Sequence, residues 1–167
     1  MGWQTITFQD TTTEMYDDTS MGSGKEGEIF LSRDKQHVVK LYHPDPNVDL
    51  QARTQRIRAL IETHNPTKGA PFWEEFYAWP NKLVVAPRIG YRMRAIAGMQ
   101  TLDHWIFPRT FRSLPPEDKG WFLGRLSSMI KLASAAQRLS STGISYPDLS
   151  HRNIMVEPFT GRMTLID

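Results

Sequence analysis

Gly22, Gly24 and Gly27 stand at G-x-G-x-x-G spacing in the stretch MGSGKEGEIF. Glycine at this density lets backbone N–H groups come close to an anion, so the chemistry on offer is phosphate binding. Two common phosphate loops do not fit. A dinucleotide-binding loop follows a buried strand and opens a helix. Here the polar run TEMYDDTS precedes the glycines and the strand-like EIFLS follows them. A Walker A loop needs G-x-x-x-x-G-K-[ST]. In this chain Glu26 follows Lys25, and Thr19 occupies the place of the first glycine.

The elements around the glycines follow from hydrophobic periodicity. EIFLS and HVVKLY are apolar, β-branched runs joined by the polar RDKQ, which predicts a hairpin. The prolines of YHPDPNV end the second strand. Asp49 can cap a helix that runs to about His64, with Leu50, Thr54, Ile57 and Ile61 on one stripe. LVVAPR and GYRMRAI predict a second strand pair, which Gly98 closes. The second half reads as helical. SLPPED starts a long helix, since Pro is tolerated and acids are favoured in a first turn. Phe122, Leu126, Met129, Ala133 and Ala136 are its expected buried stripe, and Gly143 its C′ residue. Two short strands, NIMV and MTLI, end the chain. Residues 1–20, rich in Thr and Asp, are expected to contribute at most an edge strand.

With these flanks the glycines match G-x-G-x-x-G-x-V, the ATP-covering loop between two strands of protein kinases, with Ile29 at the last apolar position. Lys40 ends VVK as the lysine of V-A-I-K ends its strand. In YPDLSHRNIMV, Asp148 and Asn153 are five apart, the D-L-x-x-x-N spacing of a kinase catalytic loop. Asp167 in LID falls at the aspartate of D-F-G. Residues 21–167 therefore resemble the protein-kinase-like superfamily. Within it, GKEGEIF, VVKLYHP and AWP look like a group of bacterial serine/threonine-kinase-like proteins.

The resemblance implies an α+β fold. An N-terminal antiparallel β-sheet lobe with one helix, ending in a hinge, would occupy 21–98. An incomplete, mainly helical C-lobe with the catalytic loop would occupy 99–167. It implies an ATP-dependent phosphotransferase that moves the γ-phosphate of Mg-ATP to a hydroxyl, with protein serine or threonine as the leading acceptor. Gly22, Gly24, Gly27 and Ile29 would cover the nucleotide, and Lys40 would hold the α/β-phosphates. The backbone of Ala95 and Ile96 would meet adenine. Asp148 would be the catalytic base, and Asn153 and Asp167 would hold Mg²⁺.

Departures from the pattern keep other readings open. Tyr146 and Pro147 replace the usual His-Arg, which removes the arginine that docks a phosphorylated activation loop. Ser150 replaces the lysine two residues after the aspartate, as in many aminoglycoside phosphotransferases, so a small-molecule kinase is one alternative. A nucleotide-binding pseudokinase or scaffold is another. The helix glutamate that pairs with the strand lysine has two stand-ins. Glu62 lies in the last turn, where the dipole disfavours it, and can equally be a solvated acid. Gln55 offers only a hydrogen bond. The family's activation segment and later helices would follow Asp167. The chain is accordingly read as partial, with the missing C-terminal part or self-association covering the long helix.

Composition narrows the field. The chain has 167 residues, a net charge of +2 and no cysteine. Disulfides and thiolate metal sites are excluded, and no general polyanion binding is implied, so Arg53, Arg56 and Arg58 are read as a solvated helix face rather than a nucleic-acid site. The histidines show no metal-ligand spacing, and His151 is read as an exposed loop residue. Neither a signal peptide nor an apolar run of membrane-spanning length is visible, and a cytoplasmic protein without a membrane partner is expected.

Overall fold

The computed structural model describes residues 2–116, 119–144 and 149–166. They form two compact units. The first comprises residues up to Asn65 together with Trp79–Ala95, and the second Pro66–Ala78 together with residues from Ile96 onward. Residues 66–78, expected from the sequence to belong with the glycine-bearing half, thus go with the other unit.

The first unit is built on strands β1 (Trp3–Phe8), β2 (Thr13–Ser23), β3 (Gly27–Ser32) and β4 (His37–Tyr42), and on helix α1 (Leu50–Glu62). Strands β6 (Lys82–Ala86) and β7 (Gly90–Arg94) complete it. The order is β1-β2-β3-β4-β7-β6, closed by a β1–β6 pairing into an antiparallel barrel. From the sequence, residues 1–20 are expected to contribute an edge strand. Instead β1 bonds to β2 on one side and β6 on the other, so residues 1–20 leave no edge there. The reason lies in alternation: Ile6, Phe8 and Tyr16 point inward to meet Phe30, Val39, Leu41 and Val84. Their Thr and Asp neighbours form the outer face, and Thr is a good strand former. The Tyr16 and Phe30 rings meet edge to face at 5.1 Å.

The β3–β4 hairpin and α1 form as the sequence predicts. Asp34 accepts from the Gln36 amide at 2.8 Å in the hairpin turn. Asp49 caps α1 by accepting from the amides of Gln51 and Ala52 at 2.8 and 3.1 Å. Of the expected stripe only Ile57 is fully buried. The helix leans on β6, and the Trp79 indole N–H donates to the Leu60 carbonyl at 2.8 Å.

The second unit holds a 3-10 turn (Pro71–Glu75) and strands β5 (Tyr77–Ala78) and β8 (Gln100–Thr101). Helices α2 (Asp103–Ile106), α3 (Pro108–Ser113) and α4 (Phe122–Ser141) follow, then the hairpin β9 (Ile154–Glu157) and β10 (Arg162–Ile166). The strands form a sheet in the order β5-β10-β9-β8, with β5 parallel to β10. The Tyr77 hydroxyl donates to the Ala135 carbonyl at 2.7 Å, tying β5 to α4.

Helix α4 does not bury the stripe expected of it. Its buried residues are Gly124, Ser128, Ala135 and Leu139, whereas Phe122 is 73% and Ile130 60% exposed, and Leu126 and Met129 are exposed as well. The β9–β10 turn decides the orientation. A Cβ on Gly124 would stand 1.9 Å from the Pro158 carbonyl oxygen, so only glycine lets the turn seat there. Lys131 secures it by donating to the Gly161 carbonyl at 2.8 Å. The helix begins at Phe122 rather than Pro116. It ends as the sequence predicts, with Gly143 at a φ of +78°.

Candidate functional site

In the first unit the β4 strand carries the lysine. Period-two alternation sends Lys40 and Tyr42 to one face, and strand register places Tyr91 directly opposite Lys40. Lys40 is only 6% exposed. Its ammonium lies 5.7 Å from the centre of the Tyr42 ring and 5.8 Å from that of Tyr91. The two rings meet edge to face at 6.2 Å. The Arg53 guanidinium of α1 covers the Tyr42 ring at 4.3 Å. Arg53, read from the sequence as part of a solvated face, is therefore built into this cluster. Gln55 and Glu62, the two α1 residues considered as partners of Lys40, are both exposed.

On the other side of β4, Ile29 pairs with Lys40 in register and is half-buried. The glycines precede it. Gly22 lies in the end of β2 opposite Ile29, and Gly24 opens a turn that its amide closes onto the Gly27 carbonyl at 2.9 Å. Strand therefore flanks the turn on both sides. His43, just past β4, fastens it twice. Its amide donates to the Glu26 carbonyl at 2.8 Å, and its ring Nε2 bonds the Gly24 carbonyl at 3.1 Å.

The three glycines differ in why they are glycine. A Cβ on Gly27 would stand 2.4 Å from the Leu41 carbonyl oxygen, so the barrel itself requires glycine there. Gly22 has nothing within 4 Å of a notional Cβ, and Gly24 has only the Gly27 oxygen at 3.9 Å, an ordinary contact. Neither has a positive φ of the left-handed kind. The fold would accept a side chain at both.

The chain passes from the first unit to the second for the last time between Ala95 and Ile96. The Ala95 amide donates to the Gln36 carbonyl at 2.8 Å.

In the second unit, the β9–β10 hairpin brings the end of the D-L-x-x-x-N motif beside the last described residues as neighbouring backbone. Asn153 enters β9 and is half-buried, and its amide donates to the Ser150 carbonyl at 3.0 Å. Its own carbonyl accepts from the Ile166 amide at 2.9 Å, so positions 153 and 166 sit side by side. Asp148 and Asp167 lie outside the described residues. Among the described residues no cluster of three or more His, Asp or Glu could hold a metal ion.

His151, expected to be exposed, is half-buried with its ring edge to face against Phe107 at 4.9 Å. Near it, a hydrogen bond from Thr101 holds the Asp103 carboxyl below the usual range, with help from the charges of His104 and His151. Sequence reasoning passed over Tyr42, Tyr91, His43 and Asp103. The i, i+2 placement of Tyr42 after Lys40 was the available signal for the first. The others depend on strand register and tertiary contact.

No family model matches the chain, and no curated protein matches it. Among solved structures the chain is similar to "Structure of vaccinia related kinase 3", with a TM-score of 0.59 at 12% identity. The match covers 97% of this chain and 49% of that one. The fold is kinase-like. At that identity the likeness concerns the fold alone, and the chain spans about half the length of its neighbour. Among the described residues no helix is long and apolar enough to cross a membrane.

Proposed function

We propose that the chain belongs to an ATP-dependent phosphotransferase that transfers the γ-phosphate of Mg-ATP to a hydroxyl, with protein serine or threonine as acceptor. The observation that carries this reading is the pair Gly22 and Gly24. Among the described residues no contact explains them, yet they lie at the β2–β3 turn, and β3 pairs in turn with β4, the strand that bears Lys40. A Cβ at either position would fill space that a phosphate needs if it is to meet the backbone.

On this reading the donor set matches nucleotide chemistry. Lys40 supplies a cation for the α/β-phosphates, and Ile29 an apolar contact beside it. The Ala95–Ile96 backbone meets adenine, with the Ala95 amide already engaged by Gln36, so the recognition falls to its carbonyl and to Ile96. Asn153 and Asp167 are the oxygen donors a hard cation such as Mg²⁺ prefers. Mg²⁺, when bound, neutralises charge on the phosphates. Asp148 accepts the proton of the acceptor hydroxyl. Ser150, where protein kinases carry a lysine, favours a small-molecule hydroxyl as the second reading.

Thermal shift and calorimetric titration with Mg-ATP test the proposal. Native-state binding at about 100 times the dissociation constant stabilises by roughly 2.7 kcal/mol. A shift that Lys40→Ala reduces, with Mg-ATP affinity weakened but still measurable, is expected. No binding at millimolar Mg-ATP would overturn the nucleotide reading in favour of a scaffold.

A further inference from the structure

We infer that Tyr42 and Tyr91 are positioning residues that hold the Lys40 ammonium, and that Arg53 ties this clamp to helix α1. The inference rests on the reading of Lys40 as the nucleotide lysine. It concerns how that lysine is kept in place.

The geometry is specific. Both rings lie within the roughly 6 Å at which an aromatic face attracts a cation. One ring comes from the lysine's own strand and the other from its neighbour in register, so two adjacent strands each place a ring beside the ammonium. The site is nearly dry, since Lys40 is buried, and desolvation strengthens a cation–ring attraction. Arg53 occupies the Tyr42 ring at 4.3 Å, closer than the lysine does. The chain of contacts is thus Arg53, Tyr42, Lys40 and Tyr91. It joins α1 to β4 and β7 through one tyrosine.

This arrangement has a mechanical consequence. Movement of α1 is felt by Lys40 through Tyr42. The hydroxyls are not what the clamp uses. A phenylalanine keeps the ring and therefore the function, whereas a leucine keeps apolar volume and loses the attraction. A purely structural role would make leucine and phenylalanine similar.

The test is a double-mutant cycle on Mg-ATP affinity in the whole chain, measured by titration calorimetry. Tyr42→Phe should bind as wild type. Tyr42→Leu should bind about tenfold more weakly. In a Lys40→Ala background, Tyr42→Leu should cost nothing further, because the group it positions is gone. Equal losses from Tyr42→Leu with and without Lys40 would overturn the inference, as would wild-type affinity in Tyr42→Leu. Wild-type affinity in Lys40→Ala would instead overturn the nucleotide reading. A second measurement does not use nucleotide. The ε-methylene protons of Lys40 should show a ring-current upfield shift in wild type and in Tyr42→Phe, and a reduced shift in Tyr42→Leu. An unchanged shift in folded Tyr42→Leu would refute the clamp whatever ATP does.

Discussion

Replacing each glycine of the β2–β3 turn by alanine should separate the glycine the barrel needs from those that a ligand would need. At Gly27 the new methyl would stand 2.4 Å from the Leu41 carbonyl oxygen and 3.0 Å from the Tyr42 Cα. Both are backbone atoms of the paired strand, so the ladder must move. Overpacking of this kind costs about 1–3 kcal/mol. In a domain of this size each kcal/mol lowers Tm by about 2–8 °C. At Gly22 and Gly24 a methyl meets open space or an ordinary contact. Loss of glycine's freedom in the unfolded chain then stabilises by about 0.4–1 kcal/mol. Binding should move the other way. A methyl between the turn and a phosphate removes a charge-assisted hydrogen bond of about 1.5–3 kcal/mol, which is roughly tenfold or more in affinity. Differential scanning fluorimetry without ligand, followed by Mg-ATP titration, reads both. The expected pattern is Gly27→Ala with lower Tm, and Gly22→Ala and Gly24→Ala with equal or higher Tm but weaker binding. If Gly24→Ala binds Mg-ATP as wild type does, the glycines are not a phosphate cradle and the central observation loses its force.

Asp148→Asn should spare Mg-ATP binding and remove phosphotransfer in the active protein, because the carboxylate serves the acceptor hydroxyl; turnover at the wild-type rate would remove it from the mechanism. Burial pushes the Tyr77 hydroxyl up to about 12 from its ordinary 10.0. Between those values the unfolded chain sheds that proton while the folded one keeps it, so Tyr77's share of stability is full below 10.0 and lost as pH rises through about 12. Denaturant titrations across that range should therefore fall less steeply with pH in Tyr77→Phe than in wild type, and parallel curves would contradict the burial argument. The exposed apolar side chains of α4 should make this chain associate as concentration rises. Light scattering should show less association in the double variant Leu126→Glu, Ile130→Glu, and a wild-type chain that stays monomeric at high concentration would show that the α4 face is innocuous.

Much of the first unit was legible because its signals are local. HVVKLY alternates as a strand must, Asp49 precedes a helix with the spacing of a cap, and RDKQ is a turn by composition. Residues 1–20 were harder. Among the described residues their inward set is Ile6, Phe8 and Tyr16, and the intervening Thr and Asp look like loop until a partner strand on each side gives them an outer face. Barrel closure is a long-range pairing of β1 with β6, which no local window contains. Helix α4 failed for a related reason. Periodicity found its large apolar stripe correctly, but not which stripe the fold buries. The Pro158–Gly161 turn claims the narrow side, where Gly124 and Ser127 allow close approach, and leaves the bulky side outward.

The candidate site shows the same division between what spacing encodes and what register encodes. Motif spacing singled out Lys40, Asn153 and the three glycines as a set, but it treats Gly22, Gly24 and Gly27 as equivalent. Only the strand pairing separates Gly27, which is glycine for the sake of Leu41, from two glycines that the fold leaves unexplained. Spacing also directed attention to Gln55 and Glu62 on α1, because a carboxylate is the usual companion of such a lysine. The helix turns Arg53 toward the strand instead, onto Tyr42. Tyr91 is fifty-one positions from Lys40 in the sequence and its direct neighbour across β4 and β7. A lysine set beside two rings has no linear signature, since one ring is set by alternation and the other by register. The chemistry-bearing residues were therefore readable one by one, while the environment that would tune them became readable only once the strands were paired.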